Sequence, residues 1–194
     1  LALSIPIGII SAVKLNSTFD RAVTIISTAF YSVPSIWLGL LLIILFSVKF
    51  QEWGMPFSLP TGGVQNLLGG GGFWDRVEHL ILPAFTLGVV QLAGWTRYVR
   101  SSMLEVIRQD YIRTVEAKGL RQRAVLYGHA FRNAMIPLVT LVGLTIPDLF
   151  GGALIVENVF SYPGVGQLTI NSLNQSDYSV AMAAVMILAL LTVL

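Results

Sequence analysis

The sequence contains no cysteine and only two histidines among its 194 residues. Disulfides, thiolate zinc sites and iron–sulfur clusters are therefore excluded, and two imidazoles leave little for a histidine metal centre, so no metal and no cofactor are predicted. Charged residues are also scarce, at 11% of the chain against about 25% in soluble domains. With 55% hydrophobic residues and a mean hydropathy of +0.75, the chain cannot form a surface that faces water on all sides.

What the sequence has instead is long uncharged runs. A bilayer core is about 30 Å thick, so a helix needs about 20 mainly apolar residues to cross it. Five segments are predicted to cross: Leu1–Val13, Val23–Val48, Leu80–Thr96, Asn133–Val156 and Tyr178–Leu194. The first and last are expected to be spans cut by the chain ends. The predicted fold is an all-α, polytopic membrane helix bundle with about five spans, truncated at both ends.

The charges of the four connecting segments test this topology. Lys14–Ala22 carries a net charge of +1, and Lys49–His79 carries −1. Arg97–Arg132 holds eight basic residues against three acidic ones, whereas Glu157–Asp177 has two acidic residues and no Lys or Arg. Because basic residues mark the cytoplasmic side of a membrane protein, the four segments are predicted to lie inside, outside, inside and outside in turn.

The basic stretch between Arg97 and Pro137 has a helical pattern of its own. Ser102–Glu105 fits a capping box, which predicts a helix start, and Gly119 is placed to end that helix in a left-handed conformation. A second helical pattern follows over Ala124–Ala134. The stretch could be only a topology signal, or a patch for anionic lipid headgroups. A capped helix, a glycine break and a second helix favour docking to a partner.

Within this stretch, Asp110–Leu120 and His129–Val139 resemble the cytoplasmic signature of ABC importer permeases of the peptide/nickel family. The form is that of the B-type subunit of oligopeptide and dipeptide permeases. Further matching blocks lie at Ser32–Gly39, His79–Ala84, Val156–Phe160 and Tyr162–Gly166. The resemblance covers nearly the whole chain and implies the transmembrane domain of a type I ABC importer, without the family's first membrane helix and C-terminal end.

The resemblance implies a transmembrane permease subunit that moves di- or oligopeptides into the cytoplasm by alternating access and is not itself an enzyme. The implied partners are a second homologous permease, two ATP-binding subunits on the cytoplasmic side, an external substrate-binding protein, the peptide substrate and the lipid bilayer, with no nucleic acid. The sequence has no Gly-x-x-x-x-Gly-Lys-Ser/Thr loop, so the energy of ATP has to come from a partner. The expected location is the cell membrane, inner or plasma, of a prokaryote.

The resemblance places the contact with the ATP-binding subunits in a coupling segment of about residues 101–133, part of a single permease domain over residues 1–194. Within this segment, Arg113–Leu126, called the elbow below, is expected to act as the coupling helix. Its expected contact residues are Arg113, Thr114, Ala117, Lys118, Gly119, Leu120, Arg121 and Arg123. Gly119 would let the backbone turn sharply and approach the partner closely.

The elbow departs from the general permease motif at one acidic position. That motif has a Glu six positions before its Gly, and a Pro further on, where this chain has Arg113 and Arg132. The peptide branch commonly departs in this way, which supports the assignment to that branch. Contacts that the general Glu makes with an ATP-binding subunit are accordingly not transferred to Glu116.

Asp148 is the one ionisable residue inside a predicted span. Charged groups at membrane depth are costly and usually face a cavity or a partner, so Asp148 is a candidate for the substrate path, where it could meet a peptide amino terminus. The alternative, which the sequence favours, is an acid at the outer membrane edge held by backbone donors beside Pro147. Arg97 and Arg100 are expected to anchor a helix end at the lipid headgroups.

Other functions need features that this sequence lacks. A membrane enzyme requires clustered catalytic side chains at membrane depth, where only Asp148 lies. A stand-alone channel or secondary carrier predicts several polar residues along the spans and has no need of the basic elbow. Nickel chelates and glutathione use closely similar permeases, so these two substrates remain alternatives to peptides.

Overall fold

The structure is a computed structural model that describes residues 1–55, 57–66, 71–110, 112 and 124–193, without the side chains of residues 127, 129, 144–152 and 191–193. Its described residues form helices and connecting turns and include no β-strand, which confirms the predicted all-α class. The main helices are α1 (Ser4–Val13), α2 (Thr18–Ser32), α3 (Ser35–Leu42), α4 (Phe73–Ile107), α5 (Phe131–Val159), α6 (Val165–Asn174) and α7 (Tyr178–Val193).

Two of these helices are extended by π-helical segments. After Leu42, α3 continues through the π-helical segment Ile43–Lys49 into a last α-helical turn at Phe50–Glu52. The π-helical segment Val125–Ala130 leads directly into α5. Ser35–Glu52 is therefore one uninterrupted helix.

The chain divides into two compact units. The first unit contains Leu1–Ser32 and Val90–Leu144, and the second contains Val33–Val89 and Thr145–Leu194. Each unit has its own internal contacts.

Two of the described helices are long and apolar enough to cross a membrane, Ser35–Glu52 and α4. Shorter apolar helices lie at Ser4–Val13, Phe131–Gly143 and Tyr178–Leu190. Each of the five predicted membrane segments therefore contains part of one of these apolar helices. Large apolar side chains on them are exposed, as contact with lipid requires: Trp37 is 64% exposed and Met186 is 68% exposed.

The predicted membrane segment Val23–Val48 is not one continuous helix. α2 ends at Ser32, and α3 begins at Ser35 after Pro34, whose φ and ψ are −58° and 136°. Proline has no backbone N–H and disfavours the helical conformation of the residue before it, so a helix usually ends there. The predicted span is thus divided between two helices, one in each unit.

The predicted helix start at Ser102–Glu105 is wrong. These residues lie inside α4, which runs for 35 residues and continues through Pro83. At 1.5 Å per residue α4 is roughly 50 Å long, which exceeds the apolar thickness of a bilayer of about 30 Å. The capping pattern fails because the backbone donors around Ser102 belong to a helix that is already under way, so they need no side-chain cap.

In the first unit, α1 packs closely against α4. The contact belongs to an apolar core whose buried members are Ile9, Ala12, Trp95, Val99, Met103, Val106, Ile112, Val125, Ala130, Ala134 and Leu138. A Cβ atom on Gly8 would lie 2.8 Å from Val99 Cβ and 3.0 Å from the Thr96 carbonyl oxygen. The close approach of the two helices therefore depends on the missing side chain of Gly8.

In the second unit, the loop after α3 packs against the corner between α5 and α6. The Gly63 N–H donates a hydrogen bond to the Phe160 carbonyl oxygen at 2.9 Å. The Phe160 side chain is 1% exposed and lies against Gly39 of α3. This corner therefore holds the loop to the helices by a buried ring and a backbone hydrogen bond.

The packing of α1 on α4 leads to a first prediction. Replacing Gly8 with Ala should lower the free energy of unfolding by about 1–3 kcal/mol, because the added methyl group overpacks the contact with Val99. Gly88→Ala in α4 is the matched control: a Cβ atom there meets no atom of the described residues within 4 Å, and alanine favours a helix by up to about 1 kcal/mol. Thermal unfolding in detergent compares the two, and a Gly8→Ala protein as stable as the control would contradict the packing.

Candidate functional site

The residues predicted to contact the ATP-binding subunits lie outside the residues that the structure describes. They are Arg113, Thr114, Ala117, Lys118, Gly119, Leu120, Arg121 and Arg123. The structure does describe the chain on either side of them, with α4 and Ile112 before and the π-helical segment from Val125 after. The site that can be described is therefore the base of the elbow, and the roles of the eight residues stay predictions.

This elbow base consists of buried residues at the two ends of the elbow, Ile112 just before it and Val125 in its last residues. Ile112 is 2% exposed and Val125 is 1% exposed, and both belong to the apolar core of the first unit. The same core includes Met103 and Val106 of α4 and Ala134 of α5. Because burying a large apolar side chain stabilises a fold by about 1.5–3 kcal/mol, both ends of the elbow are held firmly in one core.

A buried hydrogen bond joins the helix that enters the elbow to the helix that leaves it. The Ser102 Oγ–H donates to the Ala134 carbonyl oxygen at 2.9 Å. Ser102 is 8% exposed, so the bond is shielded from water. The capping-box pattern predicted that the Ser102 hydroxyl bonds the backbone of its own helix, but it bonds a second helix. This hydrogen bond fixes the position of α4 relative to α5 at the elbow base.

A second polar cluster, centred on Asp20, was not predicted from the sequence. Asp20 is 2% exposed, and its carboxylate accepts hydrogen bonds from Arg100 Nε at 2.6 Å and Arg100 Nη2 at 3.0 Å. The expectation that Arg100 anchors a helix end at the headgroups is therefore wrong, because its guanidinium group pairs with a buried acid. The two residues are 80 positions apart, so no local pattern could have indicated the pair.

The Asp20 carboxylate also organises the turn between α1 and α2. It accepts hydrogen bonds from the Ser11 Oγ–H at 2.5 Å and the Asn16 N–H at 2.9 Å. The backbone N–H of Asp20 donates to Ser17 Oγ at 3.1 Å. The last bond is the N-cap of α2, and Asn16 has the left-handed φ of 62° at which asparagine is enriched. The hydrogen bond from Arg100 holds the pKa of Asp20 well below its usual range, so the group is ionised at physiological pH.

Arg97, one turn before Arg100, makes a different contact. Its guanidinium carbon lies 5.0 Å from the centroid of the Tyr31 ring, within the range of a cation–π interaction. Arg97 remains exposed, so anchoring at the headgroups is compatible with its position. α4 thus contacts α2 at two places, through an aromatic ring and through an ion pair.

These contacts join connecting segments for which the same side of the membrane is predicted, while the sides themselves stay predictions. Lys14–Ala22 and Arg97–Arg132, both predicted to lie inside, are joined in the first unit by the ion pair. Lys49–His79 and Glu157–Asp177, both predicted to lie outside, are joined in the second unit by the hydrogen bond between Gly63 and Phe160. Segments of the same predicted side therefore contact each other.

Two of the sequence blocks that resemble the permease family, Val156–Phe160 and Tyr162–Gly166, contact each other in the structure. Glu157 Oε2 accepts the Gln167 N–H in the first turn of α6 at 3.0 Å, where the helix dipole favours a negative charge. A Cβ atom on Gly164 would collide with this carboxylate. The first block contributes Glu157, and the second contributes Gly164, whose missing side chain leaves room for the Glu157 carboxylate. The two blocks together therefore cap the N-terminus of α6.

Asp148 and His129 lie on described helical backbone, but their side chains are outside the description. The proposed place of Asp148 in the substrate path therefore stays a prediction. Among the residues that the structure does describe, no three His, Asp or Glu side chains could together hold a metal ion.

Comparisons with known proteins bear on the whole chain. Residues 4–194 match the family described as binding-protein-dependent transport system inner membrane component. The chain is 45% identical over 193 residues to the oligopeptide transport system permease protein AppB of Bacillus subtilis, an alignment that covers 100% of this chain and 59% of that protein.

Two further relatives are permeases with similar names. The chain is 42% identical over 199 residues to the di/tripeptide transport system permease protein DppB of Pseudomonas aeruginosa, which covers 96% of this chain and 59% of the relative. It is 41% identical over 208 residues to the dipeptide transport system permease protein DppB of Escherichia coli K12, which covers 100% of this chain and 61% of the relative. The chain thus spans about three fifths of the length of these relatives.

The bond between Ser102 and Ala134 gives a second prediction. Ser102→Ala should lower the free energy of unfolding by about 1 kcal/mol, because a buried hydrogen bond is lost. Ser32→Ala is the matched control, since the Ser32 hydroxyl bonds the Thr28 carbonyl of its own helix and is exposed. Thermal unfolding gives the overall effect, and faster amide hydrogen exchange around Ala134 should accompany it only in Ser102→Ala. Equal stability and exchange in the two variants would contradict the assignment.

Proposed function

Since the chain belongs to the family of binding-protein-dependent transport system inner membrane components, we propose that it serves as a permease subunit of an ATP-driven importer of peptides. The observation that carries this proposal is the similarity of nearly the whole chain to permeases named for oligopeptide, di/tripeptide and dipeptide transport. The family is one of transport permeases, and the chain is proposed to carry out no chemical reaction of its own.

The partners follow from this assignment. A second homologous permease completes the pore, two ATP-binding subunits dock on the cytoplasmic side, and an external binding protein delivers the peptide. The chain has no phosphate-binding loop of the ATPase type, so the ATP-binding subunits supply the energy. The predicted contact with them is the elbow, which has a basic sequence and is connected at both ends to the buried residues of the elbow base.

The mechanism is a transfer of movement from the elbow to the helices. Closure of the ATP-binding subunits around ATP would displace the elbow, whose two ends are anchored by Ile112 and Val125, both buried in the core of the first unit. Packed cores do not deform continuously, so the displacement moves packed helices together. Alternation between outward-open and inward-open states then needs only movements of helices, as in other transporters.

The names of the relatives favour peptides over the other substrates of similar permeases. All three relatives described above are named for peptides of two or more residues. Nickel chelates and glutathione are the alternative substrates, so uptake of a peptide has to be tested in competition with them. The alternative mechanism is a carrier that works without ATP.

Reconstitution of the full-length protein with its co-purified partners gives a third prediction. Proteoliposomes are expected to take up tritiated alanyl-alanine or tetra-alanine only with ATP on the cytoplasmic face, and excess glutathione or a nickel–histidine chelate should not compete. Gly119→Pro should leave ATP hydrolysis without uptake or abolish docking, whereas Gly88→Ala should behave as the wild type.

Two results would overturn the proposal. One is a protein that brings down no ATP-binding subunit in mild detergent and still transports without ATP. The other is uptake that only nickel chelates or glutathione can inhibit. Coupled transport by Gly119→Pro at the wild-type level would count against the elbow alone.

A fourth prediction tests the proposed place of Asp148 in the substrate path. Asp148→Asn removes the charge with little change of volume, so uptake of a peptide with a free amino terminus should fall more than uptake of its N-acetylated form. Asp177→Asn is the control, because Asp177 is exposed and its side chain accepts the Val180 N–H at the start of α7. Equal uptake of both peptides by an Asp148→Asn complex that assembles normally would exclude the role.

A further inference from the structure

The Asp20–Arg100 ion pair lies near the end of α4, the helix that precedes the elbow. Arg100 precedes Ile107, the last residue of α4, by seven positions, or two helical turns and about 10 Å. Its partner lies in the first turn of α2. The pair therefore connects the part of α4 that leads into the elbow with a helix that is distant in the sequence.

Three elements meet at the Asp20 carboxylate. Arg100 binds it from α4, Ser11 binds it from α1, and the Asn16 N–H binds it from the turn between α1 and α2. Asp20 itself belongs to α2. A single side chain therefore joins the hairpin of α1 and α2, called the N-terminal hairpin below, to α4.

The chemistry of this joint differs from that of the apolar core around it. The apolar core packs α1 against α4, but none of its buried members belongs to α2. A guanidinium group that binds both oxygens of a carboxylate favours one geometry over others. Buried ion pairs add little net stability compared with apolar replacements, so the particular property of this pair is the register that it imposes on α4 and α2.

We propose that Asp20 and Arg100 form a positioning pair that makes the N-terminal hairpin move together with the elbow during each transport cycle. The inference rests on the proposed function, because it assigns a path for the movement that the ATP-binding subunits would impose. Without the pair, α2 can lag behind when α4 moves. ATP would then be hydrolysed without a matching movement of peptide.

The test measures ATP hydrolysis and uptake of tritiated alanyl-alanine or tetra-alanine in the same proteoliposomes, using the full-length protein in its assembled complex. Asp20→Asn and Arg100→Gln should each raise the number of ATP molecules hydrolysed per peptide by about fivefold or more, the usual lower range of coupling between sites. The double variant should be no worse than either single variant, because one joint is lost in all three.

Two further variants separate positioning from stability. Glu52→Gln is the matched control, because it removes a carboxylate that pairs with Lys49 at 2.7 Å in an exposed position; its ratio of ATP to peptide should equal that of the wild type. Arg100→Lys keeps the charge but loses the bidentate hydrogen bonding, so its ratio of ATP to peptide should lie between those of the wild type and Arg100→Gln. It also provides the measurement if the neutral variants do not assemble.

The outcomes distinguish this inference from the proposed function. Wild-type proteoliposomes without ATP-dependent uptake would refute the proposed function. With an active wild type, variants that assemble in smaller amounts but keep the wild-type ratio per assembled complex would show a purely structural pair and overturn the positioning role. An Arg100→Lys complex with the wild-type ratio of ATP to peptide would show that the bidentate geometry is not needed, and this result would overturn the proposal.

Discussion

The absence of water in the bilayer interior is the constraint on which the rest of this structure depends. Backbone N–H and C=O groups there have to bond within the chain, so the membrane segments are helices, and charged side chains are restricted to helix ends or to pairs. The exposed apolar side chains of Trp37 and Met186 and the concentration of basic residues in Arg97–Arg132 both follow from this constraint.

Where the helices leave the membrane, polar and apolar contacts have different tasks in the first unit. The apolar core from Ile9 to Leu138 supplies most of the stabilisation, because burial of apolar area is the dominant favourable term. The hydrogen bond of Ser102 and the ion pair of Asp20 determine which positions on neighbouring helices face each other. The base of the elbow is therefore both firmly packed and held in one register, which suits a part that has to transmit movement.

Features that depend on neighbouring residues could be predicted, and those that depend on a second helix could not. The five apolar segments and the charges between them are local, and each segment contains an apolar helix. The membrane segment Val23–Val48 is divided between two helices because one residue, Pro34, interrupts a run of 26 uncharged ones. The capping box at Ser102–Glu105 was wrong because the same residues also suit a helix interior when a partner lies opposite the serine. The predicted contact residues of the elbow lie outside the description and remain inferences from the sequence.

By itself, the sequence determined the helical membrane class and the family, and it predicted on which side of the membrane each connecting segment lies. These properties depend on hydropathy, charge and motif spacing, which each segment carries regardless of where it lies in space. Only the tertiary structure decided that Asp20 binds Arg100, that Ser102 bonds α5 and that Glu157 caps α6. The reason is geometric: a hydrogen bond requires two groups to meet within about 3 Å, and that meeting is set by the packing of whole helices.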